Sequence, residues 1–161
     1  MIAAGLLVVF AVLFGWHYFL YFSTVRFFSL DRGGRRLAAL ILTLLPASFF
    51  FSEFVLRRAS GGLAKAVMFA STLWLGVGLA LLVWYAAAWA AWGAARLAMP
   101  HPKMIWFGAA ALAVTAVYCG YGVWNAFHPR VRAVEVAVRN LPAAWSARTL
   151  VQISDVHLGV V

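Results

Sequence analysis

Near the end of the chain, Asp155 and His157 flank a single valine, Val156. In extended backbone, side chains two residues apart point the same way. A carboxylate and an imidazole there can aim at one point just past a strand, the geometry that a shared metal ion needs. A carboxylate oxygen with an imidazole nitrogen suits Mn, Fe or Zn better than the all-oxygen shells of Ca or Mg. Gly159 allows the backbone to approach closely as it turns away. By itself the triplet also reads as a solvated turn with a capping aspartate. Two further groups lie inside apolar runs, where ionisable side chains are costly and mark candidate sites. Glu53 stands four residues before Arg57, a spacing that predicts an interfacial ion pair instead of a relay. His17 sits among aromatics, with Pro46 interrupting the next apolar run, and a hydrogen-bonded structural histidine is the simpler reading.

The elements that must position these groups are set by lipid. Apolar residues make up 66% of the 161 and charged residues 11%, with a mean hydropathy of +0.93, far from the balance of a soluble domain. About 20 apolar residues span the hydrocarbon core. Four stretches meet that length, at about 2–22, 37–56, 66–92 and 104–124. The N-terminal run lacks a basic leader and an evident cleavage site, so it reads as a retained span. The fold class expected is an all-α membrane bundle of four transmembrane helices over 1–124. Small residues at four-residue spacing, Gly76 with Ala80, Ala87 with Ala91 and Ala109 with Ala113, suit close helix packing, within the bundle or in a homo-oligomer. Cys119, the only cysteine, rules out an intrachain disulfide and reads as core packing.

Thirteen Lys and Arg oppose four Asp and Glu, a net charge of +9. The cations sit in the connectors between apolar runs and form no polar face, which points to membrane orientation and away from nucleic acid. The connectors at 26–36 and 96–103 hold six Lys and Arg, and the one at 57–65 holds three. Placing the larger group in the cytoplasm of a bacterial-type plasma membrane puts the C-terminal segment outside, although Arg130 and Arg132 reduce the contrast to six against five. Aromatic residues near span ends, including Trp16, Tyr18, Tyr21, Trp89, Trp92, Tyr118, Tyr121 and Trp124, read as headgroup-level anchors.

After Trp124 the composition changes, and 125–161 reads as the start of a water-soluble domain. Val134, Val136 and Val138 fall on one side with Arg132 in line, and Glu135 and Arg139 on the other, which predicts a half-buried strand at about 130–138 closed by Asn140-Leu141-Pro142. A second strand is expected at about 149–153, leading into the Asp-x-His triplet. Two strands bury too little apolar area to stand alone. The segment is therefore expected to be the opening of a domain that these residues do not complete.

The run Leu150-Val151-Gln152-Ile153-Ser154-Asp155-Val156-His157-Leu158-Gly159 closely resembles the first metal-binding motif of the calcineurin-like metallophosphoesterases. The segment at 134–145 also looks like the entry strand of their membrane-anchored members, in which a few N-terminal spans precede the phosphoesterase domain. This resemblance implies an αββα domain, two divalent metals per complete site (Mn, Fe or Zn), a bridging hydroxide nucleophile and a phosphomonoester or phosphodiester substrate. It assigns Asp155 and His157 as ligands of one metal, with Ser154 and Gly159 as framework. Membrane attachment suggests a lipid-linked or cell-envelope phosphate. The family's Gly-Asp pair with its further Asp, its Gly-Asn-His-Asp/Glu turn and its later histidines do not occur in these residues. No complete catalytic set is present, so the 161 residues alone are expected to be inactive. The alternative readings are a non-enzymatic four-helix membrane scaffold and a small proton-coupled carrier using Glu53 or His17.

Overall fold

The computed structural model describes residues 2–56, 61–128, 130–137, 139, 140, 142, 145, 148, 149 and 151. Four helices account for most of them: α1 Ile2–Phe27, α2 Arg32–Phe54, α3 Gly62–Ala98 and α4 Met104–Ala126. Each is long and apolar enough to cross a bilayer. All four expected spans are present, with different ends.

The helices outrun the apolar runs because lipid sets only where side chains must be apolar, whereas the backbone gains from internal hydrogen bonding on both sides of the boundary. At its end, α1 continues through the polar Arg26. α2 begins at Arg32, where the Asp31 carboxylate accepts the Gly34 N–H at 2.8 Å and caps the first turn. α3 has 37 residues, about 55 Å at the usual rise against a core of about 30 Å. α2 is helical on both sides of Pro46, which is buried in the bundle. The proline therefore does not divide the span.

The chain runs up, down, up and down. Ser52 near the end of α2 meets Ser71 near the start of α3, and Gly108 near the start of α4 lies against Phe27 at the end of α1. α1 and α3 are central, each touching the other three helices, while α2 and α4 do not meet. Leu20, Phe27, Leu81, Tyr85, Ala88 and Ala111 form the buried cluster, with the Phe27 ring 4.9 Å from that of Trp89 and 5.4 Å from that of Tyr85. The outward faces carry exposed residues such as Leu7, Val12, Leu40, Val83 and Val117, as lipid contact requires.

Two expectations need correction. The small residues at the helix contacts are Gly78, Gly108, Ala88 and Ala111. Of the expected pairs, Gly76, Ala87, Ala91 and Ala113 are exposed, while Ala80 and Ala109 are half-buried. Spacing of four finds a helix face but not which face meets a neighbour. The expected strand at 130–138 is also not formed over the described residues 130–137, which have no regular structure. Val131 is 97% exposed and Val134 76% exposed. A strand needs a ladder partner for its backbone groups, and none lies beside this segment among the described residues. Asn140 does adopt a left-handed turn, with φ of 61°.

The closest packing is at Gly108, where an added Cβ would lie 2.5 Å from the Phe27 Cβ. Gly108→Ala should therefore destabilise the bundle by about 1–3 kcal/mol. Gly120→Ala, with nothing within 4 Å of the added carbon, should not. Unfolding in bicelles would measure both, and equal stability of the two variants would contradict the packing described.

Candidate functional site

The interior polar residues are organised along the contact of α1 with α3. His17 is 2% exposed. Its Nδ1 donates to the Leu13 carbonyl at 2.7 Å, and its Nε2 accepts the Trp74 indole N–H at 3.0 Å. A neutral ring protonated on Nδ1 satisfies both contacts. Trp16 packs edge-on against the imidazole, with ring centroids 4.7 Å apart. Further along, the Trp89 indole donates to Ser23 Oγ at 2.9 Å, and Thr24 and Tyr85 share a hydrogen bond of 3.2 Å. Three side-chain pairs thus join two parallel helices. Between α2 and α3, Ser52 and Ser71 are linked at 2.9 Å, and each also donates or is directed to a carbonyl of its own helix. Among the described residues no buried side-chain polar atom lacks a partner.

This arrangement can hold helices together in lipid. It offers little for chemistry, because both nitrogens of His17 are occupied and solvent does not reach the ring. Glu53 is half-buried in the last turn of α2. Its expected partner Arg57 lies outside the described residues. Cys119 is half-buried in α4, as a packing residue would be.

Nothing in the sequence pairs His17 with Trp74, since the two are 57 positions apart. Trp89 had looked like a headgroup anchor, yet its indole is spent on Ser23. Trp92 remains at the boundary, donating to the Pro102 carbonyl at 3.2 Å in the α3–α4 turn. Tyr118, Tyr121 and Trp124 are exposed on α4, in keeping with an interfacial position.

The two ends of the bundle differ in charge. The α1–α2 and α3–α4 turns share one end and carry Arg26, Arg32, Arg35, Arg36, Arg96 and Lys103. Arg26 lies over the Phe22 ring at 5.6 Å and Arg96 over the Trp92 ring at 4.8 Å, placements that hold cations at the boundary. At the opposite end α4 stops at Ala126, and His128 Nδ1 donates back to the Trp124 carbonyl at 2.7 Å with its ring stacked on the indole. His128 thus closes the last turn of α4.

The expected metal ligands, Asp155 and His157, lie outside the described residues. Among the described residues no group of three or more His, Cys, Asp or Glu side chains could hold a metal ion. No protein-family model, curated protein or solved structure matches the chain.

The His17–Trp74 bond can be tested by a double-mutant cycle of His17→Leu and Trp74→Phe. Interhelical hydrogen bonds in membranes contribute about 0.6 kcal/mol and up to roughly 1.7, so a coupling energy of about 1 kcal/mol is expected from unfolding in bicelles. Additive losses would contradict a specific bond.

Proposed function

We propose that the four helices anchor a metal-dependent phosphoesterase of the calcineurin-like type, for which Asp155 and His157 supply the first metal-binding motif. The observation carrying this reading is the run from Leu150 to Gly159, within the polar segment that follows the last apolar run. The donor set fits the proposed Mn, Fe or Zn, since one carboxylate and one imidazole together favour such ions. Two donors are short of a shell, however, and a dimetal site would draw its remaining ligands from motifs beyond those in these 161 residues. Bound metals of this kind lower the pKa of water and hold the oxygens of a phosphoryl centre. The role of Asp155 and His157 would be to fix one ion at a strand end, a position that the expected strand at 149–153 would create once it pairs with neighbours. The substrate class is a phosphomonoester or phosphodiester, with a lipid-linked or cell-envelope phosphate favoured by closeness to the bilayer.

A non-enzymatic scaffold is the second reading, and the satisfied polar interior favours it over a carrier. The coding sequence after Val161 separates scaffold from enzyme. An open frame encoding Gly-Asp-x-x-Asp and Gly-Asn-His-Asp/Glu is expected, and in that protein Asp155→Asn should lower metal-dependent hydrolysis of a chromogenic phosphodiester at least about a hundredfold. A stop codon at that point would overturn the enzyme.

The proposed orientation puts the arginine-rich end in the cytoplasm and the tail outside. Alkaline phosphatase fused after Phe127 should then be active in a bacterial host, and fused after Ser29 inactive. The reverse pattern would invert the topology.

A further inference from the structure

At the arginine-rich end, Tyr21 of α1 and Arg32, Arg35, Arg36 and Ala39 of α2 line an open cavity of about 410 Å³. The guanidinium of Arg35 is held in place by its Nε, which donates to the Leu30 carbonyl at 2.8 Å and leaves the two Nη groups available. Arg32 and Arg36 have no hydrogen-bond or ion-pair partner among the described residues. The nearest acid, Asp31, points one carboxylate oxygen at the Gly34 N–H as the helix cap. Four arginines and one aspartate therefore leave the 26–36 turn strongly positive.

This charge is placed where the helix itself disfavours it. The amino-terminal end of α2 carries the positive pole of the helix dipole, and cations there raise the local potential further. An anion in the cavity offsets both. Guanidinium groups match phosphate oxygens in pairs, and the Tyr21 hydroxyl adds a neutral donor.

The surface below the cavity selects among phosphate sources. Leu40 and Leu44 follow Arg36 at four-residue spacing and so share its face of α2, with Leu37 and Ile41 beside them; all four are exposed. Tyr18 and Phe22 are exposed on α1. A row of guanidiniums above a row of alkyl side chains matches a headgroup above its acyl chains.

We infer that this cavity binds the phosphate of an anionic phospholipid, with its acyl chains laid against Leu37, Leu40, Ile41 and Leu44. The site is at the opposite end of the bundle from the C-terminus of α4 and uses neither Asp155 nor His157, so it does not rest on the phosphoesterase reading. Bound lipid would fix the α1–α2 turn at the headgroup level and strengthen the orientation set by the basic connectors.

The test uses the full 161-residue chain in phosphatidylcholine nanodiscs with and without phosphatidylglycerol, reading lipid retention by native mass spectrometry and stability by thermal melting. Phosphatidylglycerol should be retained preferentially and should raise the melting temperature. The triple variant Arg32→Gln, Arg35→Gln, Arg36→Gln should weaken that retention on the order of a hundredfold, and Arg36→Gln alone about fivefold. The single variant spares the Asp31 cap and the Arg35–Leu30 contact, so it carries the result should the triple variant unfold in phosphatidylcholine. Lys65→Gln, at the other end of the bundle, should change nothing. Unaltered retention by Arg36→Gln, or an equal loss in Lys65→Gln, would overturn the site. Inorganic phosphate raising the melting temperature in pure phosphatidylcholine as much as the acidic lipid does would overturn the lipid assignment in favour of a free phosphate.

Discussion

The contact between α1 and α3 is the constraint on which the bundle depends. Lipid offers no hydrogen-bond partner, so His17, Ser23 and Thr24 must be satisfied from within the protein. Trp74, Trp89 and Tyr85 of α3 supply those partners, at 3.0, 2.9 and 3.2 Å. Apolar faces alone would leave the pairing loosely specified, because a leucine is nearly as well solvated by acyl chains as by another leucine. Three polar pairs at different heights fix which faces meet and in which register.

The rest of the packing follows from that pair. With α1 and α3 joined, α2 is placed against both, and the Ser52–Ser71 bond of 2.9 Å secures its far end. α4 reaches α1 because Gly108 presents no side chain to Phe27. Phe27, Tyr85 and Trp89 fill the space between helices near the arginine-rich end. The aromatic residues therefore serve two purposes, some closing the interior and others marking the boundary with water.

The bundle also separates two kinds of chemistry. One end concentrates guanidiniums around a cavity, and the other emits the tail. In the proposed phosphoesterase, the membrane region holds and orients the protein, while hydrolysis belongs to a domain begun by the tail. His17 belongs to neither end. Its ring is buried between Trp16 and Trp74, a structural position despite the ionisable side chain.

Much of this was legible from residue order because lipid imposes a simple rule on it. Apolar length alone located four spans, and the cations marked the connectors, since each depends only on local composition. The cap that Asp31 gives α2 through the Gly34 N–H emerged only with the structure. Helix ends were less legible, because hydropathy reports the lipid boundary and not where backbone hydrogen bonding stops. The strand pattern at 130–138 recorded a preference that needs a partner to become structure. The tertiary structure alone decided that His17 faces Trp74, that Trp89 turns inward to Ser23, and that Gly78 and Gly108, not Gly76, sit at helix contacts. These depend on how each helix is rotated about its own axis, which a nearly uniform apolar sequence leaves open until polar groups find one another.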